Sequence, residues 1–276
     1  MSARKILEFN PAGPGLFCRH LEFLAKEQGW DLQFENHTEY SAEILETAEM
    51  AKVDFELSAM ILPQLHIQPT LVRTVRSMDC FVKEDGKWYP RLYFYEALRK
   101  VLVDCARDLD IRVPAFVVGD TERARVVASV FAQIGFSEIY VVGEDKSRLA
   151  EQMEVLRRNH LGIKFHELLA DELTIQSVSG SIIVNTLDVS QNKSLLSDLS
   201  YFNFLKRDGY VMDLNLMPYH NPLLEEAERA ELRVLHPHLV AASLTHLWLE
   251  KLQLGASLKV EDLRESWKSF LKQISP

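Results

Sequence analysis

The fold is decided by the stretch Ile111-Arg-Val-Pro-Ala-Phe-Val-Val-Gly-Asp-Thr-Glu-Arg-Ala-Arg-Val-Val127. Its first half contains the apolar run Val113–Val118, which is typical of a buried strand and ends at Gly119. From Thr121 onward the apolar residues recur at the spacing of one helix face: Ala124, Val127, Ala128 and Phe131. A second apolar run, Ile139–Val142, follows. A strand, a tight turn, a helix and a strand within about thirty residues indicate the first part of a doubly wound nucleotide-binding sheet.

The turn after the first of these strands lacks most of the glycines that such a sheet uses to bind a dinucleotide. The fingerprint is Gly-x-Gly-x-x-Gly, whereas Gly119 is followed by Asp120, Thr121, Glu122 and Arg123. Asp120 is expected to cap the helix, and Glu122 would lie in its first turn, where the helix dipole stabilises a carboxylate. Both carboxylates would repel a diphosphate, although Arg123 could fold back to meet one. The sequence therefore predicts the architecture of a nucleotide-binding domain without its usual activity.

Length and composition are those of a globular chain with room for two cores. The 276 residues are 47% hydrophobic and 26% charged, and the net charge of −9 comes without any basic run. We therefore expect neither a nucleic-acid nor a membrane surface. The three cysteines are scattered and lack Cys-x-x-Cys spacing, and no apolar run has the length of a signal or membrane segment. We expect a cytoplasmic protein with reduced thiols and no metal site.

Strand-like and helix-like segments alternate on both sides of the central stretch. The first part contains three short runs with the character of strands: Lys5–Phe9, Asp31–Glu35 and Phe55–Leu62, which stops at Pro63. The C-terminal helix expected at Val260–Gln273 carries apolar residues at helical spacing, so we expect it to pack back on the first part. The predicted class is α/β and two-lobed. An open α/β sheet domain comprises residues 1–103 plus about 239–276, and a Rossmann-like doubly wound domain comprises 104–238.

Several local strings resemble the shikimate dehydrogenase family. The most specific is Asp213-Leu-Asn-Leu-Met-Pro-Tyr-His-Asn-Pro-Leu-Leu224, which is similar to that family's Asp-x-x-Tyr-x-Pro-x-x-Thr-Pro-Leu-Leu segment. Ile182-Ile-Val-Asn-Thr186 is similar to its Ile-x-Asn-(Ala/Thr)-Thr strand end, and Ile61-Leu-Pro63 to its Ile-Pro-His-Lys loop. The resemblance covers essentially the whole chain. It implies a substrate-type lobe, an NAD(P)-binding lobe and a cleft between them.

The positions that carry the family's chemistry hold other residues in this chain. By the resemblance, the proton-transfer lysine falls on Leu65 and its aspartate partner near Tyr93. The serine pair that grips the substrate carboxylate falls on residues 11–13. Even if the alignment slips, no lysine lies between Lys52 and Lys83. Losing a positioned acid–base pair removes about 10²–10⁴ in rate, so we assign no catalytic residue.

Five residues would hold a dinucleotide if one binds: Gly119, Thr121, Arg123, Glu144 and Asn185. Glu144 lies at the end of the second strand, where an acid would bind the ribose hydroxyls of NAD and exclude NADP. We expect no cofactor, and NAD rather than NADP if there is one. The ligand cleft would be lined by four residues: Gln64, His66, Arg91 and Tyr93. Among these, Arg91 could hold a small carboxylate ligand.

Three functional hypotheses follow from these patterns. We favour a shikimate dehydrogenase-like protein that has lost the family's catalytic, substrate-binding and NADP-binding residues and serves as a non-catalytic ligand-binding or interaction module. The first alternative is a divergent NAD(P)-dependent oxidoreductase that acts on a small hydroxy or keto acid through a relocated acid–base pair. The second is a protein-interaction scaffold with no ligand. A partner would be a small carboxylate, another protein, or a second copy of the chain paired through an edge strand.

Overall fold

The computed structural model describes residues 4–275, and the chain divides into two compact units. Residues up to Ala97 together with Ala241–Ile274 form the first unit, and Leu98–Val240 form the second. The sequence placed these divisions after residues 103 and 238. Each unit is built on its own sheet, so the predicted α/β class is confirmed. Within residues 4–275, no helix combines the length and the apolar character needed to cross a membrane.

The first unit contains a five-stranded mixed sheet with the order β2-β1-β3-β4-β5. Its strands are β1 (Arg4–Phe9), β2 (Leu32–His37), β3 (Met50–Val53), β4 (Cys80–Glu84) and β5 (Lys87–Arg91). Its helices are α1 (Leu16–Gln28), α2 (Ala42–Leu45), α3 (Phe55–Ile61), α4 (Thr70–Val75), the start of α5 (Tyr93–Cys105), most of α10 (Pro237–Lys251) and α11 (Val260–Ile274). Strands β1, β2 and β3 are parallel, whereas β4 and β5 form an antiparallel hairpin. Asp85 and Gly86, both at positive φ, make its two-residue turn, as their sequence indicates.

The third strand of the first unit lies earlier than its apolar run predicted. Residues Phe55–Ile61 form α3, because the Asp54 carboxylate caps this helix by accepting the Glu56 N–H at 2.9 Å. The strand is Met50–Val53 instead. A short apolar run suits a buried strand or a buried helix equally well, and here the capping aspartate decides for the helix.

Helix α11 packs against α1, as the spacing of its apolar residues predicted. Trp267 is fully buried, donates from Nε1 to Thr245 Oγ1 at 3.0 Å, and stacks on His20 with ring centroids 3.9 Å apart. His20 is itself fully buried, with Nε2 3.0 Å from Ser266 Oγ. Burial lowers the pKa of His20 to about 3, so the ring is neutral at physiological pH. The first unit is therefore discontinuous in sequence, with a neutral histidine at the contact of its two segments.

We expect acid to destabilise the first unit through His20. Its pKa in the folded chain lies below its ordinary value of 6.5, so below pH 6.5 the unfolded chain binds a proton that the folded chain does not. Stability should fall as the pH drops from 6.5 towards 3, by up to about 1.4 kcal/mol per pH unit. His20→Phe, which keeps the stack on Trp267, should flatten this dependence in urea unfolding. His66 is exposed, so His66→Phe should leave the pH dependence of stability unaltered. If the free energy of unfolding changed equally with pH in the wild type and in His20→Phe, His20 would not be the group responsible.

The second unit contains a six-stranded, fully parallel sheet with the order β11-β10-β9-β6-β7-β8. Its strands are β6 (Ala115–Val118), β7 (Glu138–Gly143), β8 (Lys164–Leu169), β9 (Gly180–Asn185), β10 (Leu205–Asp213) and β11 (Arg233–Leu235). Its helices are the rest of α5, α6 (Glu122–Ile134), α7 (Lys146–Asn159), α8 (Lys193–Ser200) and α9 (Pro222–Arg229). The chain runs outward from β6 through β8, returns to β9 beside β6, and then runs outward on the other side. This is the doubly wound order that the sequence predicted.

Candidate functional site

The carboxyl ends of β6 and β9 mark the expected ligand site of the second unit, because the strand order reverses between these two strands. Gly119 directly follows β6, Asn185 ends β9, and Glu144 directly follows β7. Thr121 is the N-cap residue of α6, and Arg123 lies in the first turn of that helix. The structure thus places all five predicted cofactor residues along one edge of the sheet, hereafter the carboxyl edge.

Gly119 is required by close packing within the protein. Its φ is +144°, and a Cβ at this position would lie 2.0 Å from Thr186 Oγ1 and 3.0 Å from Ala124 Cβ. The Thr186 hydroxyl, just past the end of β9, donates to the Val118 carbonyl at 2.8 Å. The missing side chain therefore lets the end of β9 approach the turn between β6 and α6.

Asp120 does not cap α6, contrary to the prediction from sequence. Its side chain is buried, and Oδ2 accepts the backbone N–H groups of Glu144 at 3.2 Å and Asp145 at 3.0 Å. These two donors lie in the turn between β7 and α7. The N-cap residue of α6 is Thr121, which makes no side-chain capping bond. Asp120 therefore links neighbouring turns of the carboxyl edge, and Asp145 is a capping aspartate, since it accepts from the first N–H groups of α7.

Two side-chain links cross the carboxyl edge. The Glu144 carboxylate accepts from Asn192 Nδ2 at 2.7 Å, and Asn192 caps α8, the helix that follows β9. Arg123 donates to the Leu214 carbonyl at 2.5 Å and to Asn215 Oδ1 at 3.4 Å, just beyond β10. The strand order here is β10-β9-β6-β7. The first link joins residues that follow β7 and β9, so it spans the end of β6, which lies between them. The second joins residues that follow β6 and β10, so it spans the end of β9. We call Glu144–Asn192 and Arg123–Leu214 the edge links.

The Asn185 side chain forms hydrogen bonds between the ends of β9 and β10. Its Nδ2 donates to Asp213 Oδ2 at 2.8 Å and to the Leu187 carbonyl at 2.7 Å. Burial raises the pKa of Asp213, and hydrogen bonds from the Asn215 N–H and from Asn185 partly oppose this rise. The Asn and Asp of the two strings that resemble the family therefore hold the ends of β9 and β10 together.

The first unit contains a cluster of charged side chains that the sequence did not predict. Glu8 on β1 and Asp79 before β4 are buried, and Lys52 on β3 lies close enough for its charge to act on both carboxylates. Burial raises the pKa of Glu8 and of Asp79, and the lysine opposes both shifts. Lys52 Nζ donates to the carbonyls of Val53 and Asp79, each at 3.0 Å. A correct placement of β3 would have drawn attention to a lysine within it.

Both carboxylates of this cluster accept backbone N–H groups beside the start of a helix. Glu8 Oε2 accepts the N–H of Gly15, the residue before α1, at 2.9 Å. The two Asp79 oxygens accept the N–H groups of Tyr93 and Phe94, each at 2.8 Å, at the start of α5. Lys52 reaches Asp79 through the backbone carbonyl of that residue. The contacts that the structure shows are therefore structural ones, although the three groups also form a lysine–carboxylate set.

The four residues predicted to line a ligand cleft take different roles within the first unit. Gln64 donates to the Met60 carbonyl at 2.9 Å, His66 is exposed, and the Tyr93 N–H donates to Asp79. Arg91 Nη2 lies 2.6 Å from a Glu84 oxygen, and Lys251 bonds the other oxygen at 2.7 Å. A carboxylate ligand would have to compete with Glu84 for this arginine. Among the described residues, no three His, Cys, Asp or Glu side chains are grouped as a metal site.

The segment before Leu65, the position on which the resemblance places the family's lysine, is helical. Ile61 ends α3, and Leu62–Gln64 form a turn of 3-10 helix, whereas the sequence had predicted a strand that stops at Pro63. That strand, β3, ends at Val53 instead. Lys52 lies within this strand, next to its last residue.

Comparison with known proteins describes the fold as a whole. No family model matches the chain, and no curated protein sequence matches it either. Among solved structures, the shikimate 5-dehydrogenase of Thermus thermophilus superposes with a TM-score of 0.71 at 16% identity, covering 98% of this chain and 100% of that one. The enzyme of Listeria monocytogenes gives 0.75 at 14%, covering 96% of each chain. That of Mycobacterium tuberculosis gives 0.70 at 14%, covering 98% and 100%.

The fold is that of the shikimate dehydrogenases. This confirms the resemblance drawn from the Asp213–Leu224 string at the level of architecture. The Thermus structure is a complex with NADP(H) and shikimate, and the Listeria structure is a complex with shikimate and NAD. At such low identity the likeness concerns the fold alone.

Proposed function

We propose that this chain is a shikimate dehydrogenase-like protein without dehydrogenase activity, which acts as a non-catalytic ligand-binding or interaction module and requires no nicotinamide cofactor. The observation that carries the proposal is the pair of edge links. They occupy the edge at which a dinucleotide binds in a doubly wound sheet.

The electrostatics of the carboxyl edge support this proposal. Asp120, Glu122 and Glu144 place three acidic side chains around the turns that would receive a diphosphate, and Arg123 is committed to the Leu214 carbonyl. The N–H groups of Glu144 and Asp145 already donate to Asp120. Breaking the part-buried Arg123–Leu214 link costs about 1.5–3 kcal/mol, roughly a 10–100-fold loss of affinity, and breaking the exposed Glu144–Asn192 link costs about 1 kcal/mol or less.

The test is a calorimetric and thermal-shift titration with NAD, NADH, NADP and NADPH. We expect no binding heat and no shift in Tm for the wild type at cofactor concentrations of about 1 mM, where even weak sites would begin to fill. Binding at micromolar concentration, or turnover of shikimate, would refute the proposal.

A variant designed to open the edge links makes the test sharper. Asn192→Ala combined with Arg123→Ala removes one partner of each link and leaves Glu144 available for a ribose hydroxyl, so a gain of binding should be larger for NAD than for NADP. Asn203→Ala is the matched control, because Asn203 donates to the Thr174 carbonyl elsewhere in the second unit. If the opened variant also binds nothing, the edge links are not what excludes the cofactor, and the stated reason fails.

The second candidate function is a divergent NAD(P)-dependent oxidoreductase for a small hydroxy or keto acid. The set of Lys52, Glu8 and Asp79 favours it, because a lysine near two buried carboxylates is a candidate for a relocated acid–base group. Any turnover found in a panel of such acids should be lost in Lys52→Met. It should persist in Lys83→Met, where the lysine pairs with the exposed Glu46. A chain that responds to no small molecule but retains a protein partner would instead be a scaffold.

A further inference from the structure

Each of the two sheets has two edge strands, and three of these four strands carry a feature that hinders pairing with another chain. β5 contains Pro90, which has no N–H to donate, and β11 has only three residues. On the side of β8 that faces away from β7, side chains already bond the backbone. Arg157 donates to the Phe165 carbonyl at 3.3 Å, and Glu172 accepts the Leu169 N–H at 2.8 Å. The fourth edge strand is β2.

The outer side of β2 carries backbone groups that are not used within the protein. The first bond of its ladder with β1 runs from the Arg4 N–H to the Asp31 carbonyl at 3.0 Å. With Arg4 opposite Leu32, the alternation of a parallel ladder directs the backbone groups of the odd-numbered residues of β2 towards β1. Those of Leu32, Phe34 and Asn36 point outward. Within residues 4–275, the N–H groups of Phe34 and Asn36 have no hydrogen-bond partner.

A second copy of β2 fits this edge when the two strands run antiparallel about a two-fold axis. Such an axis brings residues of the same strand face opposite each other. Two registers pair most of the strand. With Glu35 on the axis, two like charges lie directly opposite, which is destabilising. With Phe34 on the axis, Gln33 instead lies opposite the partner's Glu35, so the charge pattern selects this register.

The side chains of β2 suit the register centred on Phe34. Phe34 is half-buried and lies beside the fully buried Ile6 of β1. Its ring would lie next to the same ring of the partner, and an aromatic pair of this kind stabilises adjacent strands. On the other face, the exposed Gln33 can donate a hydrogen bond to the partner's Glu35. Glu35 can keep its ion pair with Lys5, whose Nζ lies 2.8 Å away.

We propose that the chain forms a two-fold symmetric homodimer through β2, in which the two five-stranded sheets join into one. The outward N–H and C=O groups of Phe34 then bond those of the partner's Phe34. A single pair of strands buries less surface than the about 1,200–2,000 Å² of a standard stable interface. We therefore expect a weak dimer, with a Kd of about 10–100 µM. This inference concerns the first unit and does not depend on the function proposed for the carboxyl edge.

Sedimentation of the full chain between about 1 and 500 µM measures the dimer. Gln33→Lys places a lysine opposite the partner's Glu35 and should tighten the dimer by about three- to ten-fold, whereas Gln33→Glu should weaken it by a similar factor. Gln33 is exposed, so both variants should fold. Gln191→Lys and Gln191→Glu make the same changes of charge at an exposed position of the second unit. They should leave Kd within about two-fold of the wild-type value.

Hydrogen exchange identifies the strand that forms the interface. The outward amides of Phe34 and Asn36 should be protected only at protein concentrations above the Kd. The Glu35 amide, which bonds β1, should be protected at every concentration. This alternation along β2 is specific to pairing through its edge, because a dimer formed through any other surface would leave Phe34 and Asn36 equally exposed at all concentrations.

Three results would each overturn this inference. They are a monomer throughout the concentration range, a dimer in which exchange at Phe34 and Asn36 does not depend on concentration, and Gln33 variants that change Kd no more than the Gln191 variants do. Cofactor binding at the carboxyl edge would refute the proposed function without affecting any of these measurements.

Discussion

Replacing Asp79 with alanine is expected to destabilise the first unit by about 3–5 kcal/mol. The side chain is fully buried, and its two oxygens accept the N–H groups of Tyr93 and Phe94 at the start of α5. Alanine would leave both donors unpaired and would leave Lys52 without a carboxylate that its charge stabilises. Removing one member of a buried set of charges destabilises the folded state by more than the intact set stabilises it, because the remaining charge is left buried without its partner.

Urea unfolding followed by tryptophan fluorescence measures this effect. All four tryptophans, at positions 30, 88, 248 and 267, belong to the first unit, so the signal reports on that unit. Asp79→Asn keeps one accepting oxygen, so its free energy of unfolding should lie between those of the wild type and Asp79→Ala. Asp31 is exposed, so the free energy of unfolding of Asp31→Ala should lie within about 0.5 kcal/mol of the wild-type value. An Asp79→Ala protein within about 1 kcal/mol of wild type would rule out the capping role.

Gly119→Ala should destabilise the second unit by about 3 kcal/mol or more. Two effects add at this position. The φ of +144° lies in a region that residues with a Cβ rarely adopt, and the new Cβ would lie 2.0 Å from Thr186 Oγ1. The Thr186 hydroxyl cannot simply turn aside, because it is bonded to the Val118 carbonyl.

Two further variants separate the strain from the steric clash. Gly13 has a φ of +94° with no atom within 4 Å of an added Cβ, so Gly13→Ala experiences backbone strain alone and should cost about 1–3 kcal/mol. In a double-mutant cycle, Thr186→Ala should recover part of the loss caused by Gly119→Ala. Because the second unit lacks tryptophan, the Gly119 and Thr186 variants are measured by hydrogen exchange of the Val117 and Val118 amides, whereas Gly13→Ala, in the first unit, is measured by urea unfolding followed by tryptophan fluorescence. Additive effects in the cycle would mean that Thr186 is not the obstacle.

The elements of the second unit could be predicted from sequence because their signals are local. The run Val113–Val118 and the helical spacing after Thr121 depend only on neighbouring residues, and both are found where expected. The strand β3 was misplaced for the same reason. This strand has only four residues, whereas the apolar run that follows it is longer and forms α3. The longer run was therefore predicted as the strand.

The sequence predicted the position of the five cofactor residues in the fold but not their contacts, and their role in binding a dinucleotide stays a prediction. Gly119, Thr121, Arg123, Glu144 and Asn185 do lie along the carboxyl edge. Asp120, expected to cap α6, instead bonds the turn after β7, because the buried carboxylate finds two N–H donors there. Nothing in the sequence singled out Lys52, since the strand that carries it was not recognised.

By itself the sequence determined the class of fold, the order of strands and helices in the second unit, and the absence of the phosphate-binding glycines, because periodicity and turn chemistry act over a few residues. The tertiary structure alone decided which polar groups meet. Glu144 bonds Asn192 across 48 positions, and Arg123 bonds Leu214 across 91. Such partners are set by the order of strands in the sheet, which brings distant turns to one edge, and no local pattern contains that information.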